Sequence, residues 1–422
     1  MASSWIDLQC RWWRLALTGL ICTAHLSGCG GGTGSGASAA AALPTAAPTA
    51  VSAPVAVVVP EPVPVNVVGP GQFKQAVPLK AISTGEIAAA IEQAGTTGFR
   101  ATPKYAVQAY RMTYLTQDEQ GREVLASALL ALPVKSATAS SPVLSYQHGT
   151  ITKQAEAPSN LPSLASPEVV LASQGYIVQS ADYVGYGESK SAVHPYLLAT
   201  PSAAAVIDML TAAKYWRQTQ RIADNKQLFL AGYSEGAYVS LATQKALQAG
   251  TSVHRADVVS MAVGGGPYNV ARTLDEALKV VRAANPVLGS LLNPGFLKVL
   301  SDADRRNVRD ELLRQLLGGA SEASFSPSFI DYYLADNRTA LENVSNVDDW
   351  RPAVPVNLFH GVDDRTVSYL VSAGTAQTMQ SKGAANLVTL TNCVAVPAGH
   401  NECVQPFWRF MLDSLGKLAK DL

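Results

Sequence analysis

Short apolar runs alternate with longer helix-patterned segments along most of the chain beyond residue 140. The runs have the length of buried strands, and the segments between them repeat apolar positions every three to four residues. Predicted strands lie at residues 142–147, 176–181, 257–263, 354–360 and 386–394, and predicted helices at residues 167–174, 200–217, 366–380 and 405–420. This alternation predicts an α/β protein with a mostly parallel sheet flanked by helices.

Two regions depart from the alternation. Residues 104–116 and 122–133 are strand-like and joined by a short polar turn, which predicts a β-hairpin at the start of the domain. Residues 268–347 carry helical patterns at 272–284, 287–300, 304–317 and 328–344 and no strand pattern. Since this stretch is too long for a loop, we expect a helical insertion that divides the catalytic domain into residues 71–267 and 348–422.

The start of the chain has the pattern of an exported protein. Arg11 and Arg14 precede an apolar run at residues 15–26, which predicts a signal peptide over residues 1–28. The run is shorter than the roughly 20 residues of a membrane-spanning helix. Residues 26–29 resemble the lipobox of bacterial lipoproteins, which implies lipidation of Cys29 and, with Gly30 following it, an outer-membrane lipoprotein. The alternative is a plain signal peptide and a periplasmic or secreted protein.

Residues 29–70 are first rich in glycine and then in alanine, proline and valine. Glycine-rich chain is flexible and proline-rich chain is semi-extended. We therefore expect a tether that holds the folded domain away from the membrane.

The composition indicates what kind of protein this is and which partners its charge favours. Of 422 residues, 48% are hydrophobic and 15% charged, which is typical of a globular protein. Lysine and arginine number 32, as do aspartate and glutamate, so no excess of charge points to a nucleic-acid partner. We expect a monomer.

One strand-like run breaks into a motif with a serine at its centre. Residues 228–231 are apolar, residues 232–236 read Gly-Tyr-Ser-Glu-Gly, and a helical pattern follows. This is the pattern of a nucleophile elbow, in which a strand turns sharply into a helix with Ser234 at the apex. The alternative is an ordinary strand-turn-helix with a capping serine.

An acid and a base follow Ser234 in an informative order. A serine hydroxyl needs a neighbouring base, and the base needs an acid to orient it. Asp363 and Asp364 follow one predicted strand and His400 follows the next, so both groups fall at the carboxyl edge of the sheet, where such sheets bind ligands. Asp348 and Asp349 are expected to be exposed charges, and His360 to make a structural hydrogen bond.

Taken together, these segments resemble a serine-dependent α/β-hydrolase, and more narrowly the secretory lipase group and its bacterial relatives. The resemblance runs in order from residue 105 to residue 422. It rests on residues 232–236, 148–150, 182–189, 194–196, 360–367 and 399–400. It implies an α/β-hydrolase fold with an inserted helical cap at residues 268–347. It also implies Asp364 as the acid, because Gly361, Asp364 and Val367 match the Gly-x-x-Asp-x-x-Val spacing, with Asp363 as its neighbour.

The same resemblance implies an oxyanion hole. One donor is the backbone N–H of the residue after the nucleophile, Glu235. The second is expected from the loop after residue 147, at Thr150 or, failing that, Gly149. The alternative for His148 and Gly149 is a turn that merely ends a strand.

The five cysteines sort by position. Cys10 and Cys22 lie in the predicted signal and Cys29 is the expected anchor, which leaves Cys393 and Cys403. In an exported protein they are expected to form a disulfide around His400, or else to be two buried thiols. No cluster of residues has metal-ligand spacing, so neither a metal nor a cofactor is expected.

The predicted activity is hydrolysis of a small-molecule or lipid carboxylic ester through an acyl-enzyme on Ser234, with His400 as base and Asp364 as acid. A serine peptidase or amidase could use the same residues. A binding module that is tethered to the surface and lacks catalysis is the third possibility.

Overall fold

The computed structural model describes residues 63–95, 99–160, 162–284, 301–317 and 321–422. The predicted signal peptide at residues 1–28, Cys29, the first part of the predicted tether and the predicted helix at residues 287–300 lie outside the described residues. Residues 62–422 form one compact unit.

A nine-stranded sheet runs through this unit, in the order β1-β2-β3-β5-β4-β6-β7-β8-β9. The strands are β1 (Phe73–Ile82), β2 (Val107–Gln117), β3 (Glu123–Pro133), β4 (Ser141–Gln147), β5 (Ile177–Ala181), β6 (Asp224–Tyr233), β7 (Val258–Gly264), β8 (Val356–His360) and β9 (Val388–Asn392). From β5 to β9 all neighbours are parallel, whereas β1, β2, β3 and β5 pair antiparallel.

Helices cover both faces of the sheet. They are α1 (Thr84–Ala94), α2 (Pro167–Ser173), α3 (Ala199–Thr219), α4 (Glu235–Ala249), α5 (Val270–Ala284), α6 (Asp302–Leu317), α7 (Ser328–Leu334), α8 (Arg338–Ser345), α9 (Tyr369–Met379) and α10 (Val404–Gly416). Within the described part of the chain, no helix has both the length and the apolar composition that crossing a membrane requires.

Alternation along β6 divides the core in two. Leu228 and Leu230 join a buried cluster with α3, α4 and α9, while Phe229 and Ala231 join another with α1, α2 and α10. Successive side chains of a strand point to opposite faces of the sheet. The central strand is therefore buried on both sides, which is why its sequence reads as one continuous apolar run.

The predicted hairpin is present as β2 and β3, with Gln117 paired to Glu123 across the turn. Sequence patterns missed β1 and α1. β1 pairs only with β2, so it is the edge of the sheet; most of its side chains are exposed and it contains Pro78. Proline is tolerated on an edge strand but weakens a strand pattern, which explains why β1 was not predicted.

Between β7 and β8 the described residues form the helices α5 to α8. The single helix predicted at residues 328–344 is wrong, because the structure has two helices there, α7 and α8. Asp336 lies between them with φ 54°, outside the helical region, and the Asn337 side chain accepts a hydrogen bond from Ala340 N at the start of α8. A left-handed residue followed by a capping asparagine ends one helix and begins the next.

Cys393 and Cys403 are joined in a disulfide with their Cα atoms 5.9 Å apart. The bridge connects the end of β9 to the start of α10. His400 lies in the loop that it closes.

Candidate active site

Ser234 occupies a sharp turn between β6 and α4. Its backbone has φ 57° and ψ −123°, a region that residues with a side chain rarely adopt. Neighbouring chain holds it there: Ser234 N donates to Gly264 O at 2.8 Å, and Ala237 N donates to Ser234 O at 3.0 Å. The strained turn lifts the serine hydroxyl out of the sheet, as expected of a nucleophile elbow.

The two glycines of the motif allow this turn to form. A Cβ atom on Gly232 would overlap the backbone of Gly236, and one on Gly236 would overlap the carbonyl of Gln147 in β4. The chain on either side of Ser234 therefore passes closer to itself and to β4 than any residue with a side chain permits.

His400 lies beside the elbow in the loop after β9. Its Nε2 is 2.9 Å from the Ser234 hydroxyl oxygen. Its own carbonyl accepts a hydrogen bond from the Tyr233 hydroxyl at 2.7 Å, so the residue before the serine also holds the loop of the histidine. The structure thus brings together the serine and the histidine that the sequence singled out.

Asp364 completes the line on the far side of His400. Its Oδ2 lies 2.6 Å from His400 Nδ1, and its Oδ1 accepts backbone N–H groups of Thr366 and Val367, each at 2.9 Å. Burial alone would raise the pKa of Asp364, but the hydrogen bonds of His360 and His400, together with the positive charge of each imidazole when it is protonated, lower it to about 2. Asp364 is therefore ionised at neutral pH, and its negative charge can stabilise the imidazolium form of His400.

Asp363 has a different place. It is exposed, and its carboxylate accepts a hydrogen bond from Ala398 N at 2.9 Å. Since Ala398 precedes His400 by two residues, Asp363 supports the loop that carries the histidine. Asp349 is exposed as expected, but the expectation that Asp348 is exposed is wrong. Asp348 is buried and accepts a hydrogen bond from Asn269 at 3.0 Å.

A second histidine also contacts Asp364. His360 Nε2 lies 2.9 Å from Val367 O and 3.1 Å from Asp364 Oδ2. A carbonyl can only accept, so Nε2 carries the hydrogen and shares it between the two oxygens. Sequence reasoning predicted a structural hydrogen bond for His360 but not its partner. The four-residue spacing of His360 and Asp364 was the available signal.

The predicted oxyanion groups lie around the same serine. Glu235 is the first residue of α4, so its backbone N–H has no carbonyl one turn earlier in the helix to bond. The loop after β4 passes over the elbow, where a Cβ on Gly149 would lie 3.4 Å from Tyr233 O. Thr150 follows, and its hydroxyl lies 3.3 Å from that of Tyr196.

A cavity of about 720 Å³ is lined by Gly149, Thr150, Ser234 and His400 among others. Its lining includes both polar residues and apolar or aromatic ones. The residues that matter most here are His148, Gly149, Thr150, Ser234, His400, Tyr146, Trp408, Leu197 and Leu317. The cavity is large enough for a small organic ligand. Among the described residues, no group of three His, Cys, Asp or Glu side chains is arranged to hold a metal ion.

The Glu235 side chain is a second feature that sequence reasoning missed. Glu235 was singled out for its backbone N–H alone, yet its carboxylate is buried and lies 2.8 Å from His194 Nε2. The two residues are 41 positions apart. No local pattern could indicate the contact.

Comparison with known proteins agrees with this architecture. Residues 162–253, less than a quarter of the chain and including Ser234, match the Prolyl oligopeptidase family. No curated protein matches the chain significantly.

Solved structures resemble most of the chain. A Legionella pneumophila protein described as a candidate hydrolase is 22% identical over 82% of this chain and 97% of its own, with a TM-score of 0.64. The rice cell wall degrading esterase LipA from Xanthomonas oryzae is 22% identical over 83% of this chain and 100% of its own, with a TM-score of 0.63. The protein therefore has an α/β-hydrolase fold, and that prediction is confirmed.

Proposed function

We propose that the protein is a carboxylic-ester hydrolase that works through Ser234, His400 and Asp364. The observation that carries the proposal is the continuous line of contacts from hydroxyl to imidazole to carboxylate, at 2.9 and 2.6 Å, along the wall of a cavity. A serine hydroxyl beside a histidine that a buried carboxylate orients is the arrangement for acyl transfer.

In the first half of the reaction, His400 Nε2 accepts the Ser234 proton while the serine oxygen attacks the ester carbonyl. Asp364 holds the His400 Nδ1–H and stabilises the imidazolium that forms. The negative charge on the former carbonyl oxygen falls between the Glu235 N–H and the Thr150 region. Collapse of this intermediate expels the alcohol, which takes the proton from His400 Nε2 and leaves the acyl group on Ser234.

In the second half, water takes the place of the alcohol. His400 accepts a proton from the water as it attacks the acyl-enzyme, and returns that proton to Ser234 Oγ as the carboxylic acid leaves. Because Asp364 stays ionised throughout, each cycle restores the starting protonation of the three groups.

The Prolyl oligopeptidase match supports a second candidate, a serine peptidase. The matched segment contains Ser234 but ends before Asp364 and His400. By contrast, the similarity to LipA, an esterase by name, extends over 83% of the present chain. Ester hydrolysis is therefore the better supported of the two activities. Aryl esters of increasing acyl length, compared with aminoacyl and prolyl anilides, separate the two activities.

Ser234→Ala is expected to reduce aryl-ester hydrolysis by roughly 10³-fold or more, since the nucleophile is lost. Labelling by a fluorophosphonate should disappear with it. Ser240→Ala is the matched control, because Ser240 is buried in α4, which begins directly after Ser234, and its hydroxyl has no partner among the described residues. Retained hydrolysis in Ser234→Ala would refute the proposal. Absence of both labelling and hydrolysis in the wild-type protein would favour the binding module.

We further propose that the enzyme is exported and anchored to a membrane by a lipid on Cys29. Residues 29–70 form the tether between this anchor and the folded unit. The sequence of residues 1–30 supports this, and so does the disulfide between Cys393 and Cys403, because disulfides persist in oxidising compartments.

A further inference from the structure

The carboxylate of Glu235 is a buried charged group that the proposed reaction does not use. It belongs to the residue directly after the nucleophile, and its side chain is 3% exposed. Its Oε1 lies 2.8 Å from Nε2 of His194, whose side chain is also 3% exposed. Burying a carboxylate is costly unless it is paired and hydrogen-bonded, so this contact must persist in the folded protein.

The proton positions of the pair follow from its neighbours. His194 Nδ1 lies 2.8 Å from the carbonyl oxygen of Val184. A carbonyl only accepts, so Nδ1 carries a hydrogen, and Nε2 is left to face the carboxylate. One proton lies between His194 Nε2 and Glu235 Oε1 and links the elbow firmly to the segment that carries His194.

His194 is connected through Tyr196 to Thr150, the second proposed oxyanion residue. Tyr196 N donates to His194 O at 2.9 Å, and the two rings pack with their centroids 5.9 Å apart. At its other end, the Tyr196 hydroxyl lies 3.3 Å from that of Thr150. A continuous set of contacts therefore runs from Glu235 through His194 and Tyr196 to Thr150.

A segment of the insertion docks on the same residue. His194 N donates to Ser324 O at 2.7 Å, Ser326 N donates to His194 O at 2.8 Å, and Phe325 packs edge-on against the His194 ring at 5.1 Å. The segment also reaches the loop of Thr150, because Glu322 N donates to Thr152 O at 2.8 Å. Residues 321–326 thus contact the set at two points, His194 and the loop of Thr150.

We propose that the buried His194–Glu235 pair is a positioning device, which fixes the Glu235 N–H and the Thr150 loop relative to Ser234 and is completed by docking of residues 321–326. This inference rests on the proposed ester hydrolysis. Two backbone segments that approach Ser234 from different strands must keep a separation set by one developing oxyanion. The pair joins Glu235 to His194, and His194 reaches the Thr150 loop through Tyr196.

The test compares Glu235→Ala and Glu235→Gln in the full chain, with kcat, KM and the inhibition constant of an aryl trifluoromethyl ketone as readouts. Glu235→Ala should lower kcat at least about tenfold, weaken the ketone in parallel and leave KM within about twofold, because only binding of the oxyanion suffers. Glu235→Gln should recover most of both losses, since its amide can donate to Nε2 of a neutral His194 that still donates to Val184 O.

Glu188→Ala is the matched control. It removes a partly exposed ion pair with Arg111, at 2.8 Å, from the loop that precedes His194, and it does not touch the cavity. It should leave kcat, KM and ketone affinity unchanged. Circular dichroism and thermal melting of every variant separate altered positioning from loss of folding.

Wild-type hydrolysis that disappears in Ser234→Ala establishes the proposed function whatever the Glu235 variants do. With that in hand, a folded Glu235→Ala with wild-type kcat overturns the positioning role. So does a Glu235→Gln that is as impaired as Glu235→Ala. If Glu235→Ala does not fold, Phe325→Leu carries the test. Phe325→Leu should lower kcat and ketone affinity at constant KM, by less than is expected for Glu235→Ala. If Phe325→Leu shows no such loss, the proposal is overturned.

Discussion

At the residue scale, the neighbouring aspartates Asp363 and Asp364 differ only in environment. Asp364 is buried and surrounded by donors: two backbone N–H groups and two imidazoles. Asp363 is exposed and bonds the backbone of Ala398. A buried carboxylate with four donors stays ionised and fixed in direction, which is what a base such as His400 requires.

The lowered pKa of Asp364 predicts a loss of stability in acid. Its pKa is about 2 in the folded protein against 3.8 ordinarily, so the unfolded chain takes up the proton first as the pH falls. The stabilisation is fully present above about pH 4 and is lost as the pH falls towards 2. Between pH 5 and pH 2.5 the expected loss is about 1.5 kcal/mol.

Urea unfolding of wild type and Asp364→Asn at both pH values measures this contribution. The variant should lose about 1.5 kcal/mol less than the wild type on acidification, and its kcat should fall by roughly 10⁴ at neutral pH. Asp363→Asn is the control, and its kcat should fall much less, because Asp363 bonds the backbone of Ala398 and not His400. Identical acid sensitivity in wild type and Asp364→Asn would contradict the assignment.

At the scale of elements, the site depends on how closely β6, α4 and β4 pack. The turn between β6 and α4 places Ser234 at the carboxyl edge, and the loop after β4 crosses directly above it. Gly236 lies against the Gln147 carbonyl at the end of β4, with no space for a Cβ atom. The absence of a side chain at Gly236 therefore allows the loop that holds Thr150 to pass close to Ser234.

Gly236→Ala is expected to destabilise the protein by roughly 3 kcal/mol or more, because backbone rather than a flexible side chain must move. Ester hydrolysis should fall with it. Gly85→Ala is the matched control, since a Cβ at Gly85 in α1 meets nothing within 4 Å. That change should be neutral or stabilise by up to about 1 kcal/mol. Urea midpoints of the two variants make the comparison, and equal midpoints would show that the crowding has no consequence.

At the scale of the whole molecule, every group in the proposed mechanism lies in the unit from residue 62 to residue 422. Both core clusters and the nine-stranded sheet belong to it as well. The proposed lipid anchor precedes this unit. Catalysis on a soluble ester and attachment to a membrane should therefore be separable.

Cys29→Ser is expected to move the protein from the membrane fraction to the soluble fraction of a Gram-negative host and to abolish labelling by a radioactive fatty acid. Its kcat/KM on a short aryl ester should stay within about twofold of wild type, because the catalytic unit is unaltered. Cys22→Ser, within the predicted signal, is the control and should remain attached. Fatty-acid labelling that persists in Cys29→Ser would rule out this anchor.

Much of the architecture could be predicted because its signals are local. The elbow can be recognised from the five consecutive residues 232–236. The parallel strands of the sheet are short apolar runs bounded by turn residues. The exposed edge strand β1 escaped prediction because a strand with little burial has little hydrophobic pattern. The break at Asp336 escaped because one left-handed residue scarcely alters the pattern of helix formers around it.

The α/β class of the fold, the order of Ser234, Asp364 and His400 along the chain and the edge of the sheet on which they fall could all be predicted from the sequence. Periodicity and spacing are properties of the chain that burial turns directly into structure. By contrast, the contact of His360 with the Asp364 carboxylate and that of His194 with Glu235 are visible in the folded structure alone. These contacts join residues from different elements, and their distances depend on how whole strands, helices and the segment between β7 and β8 pack together.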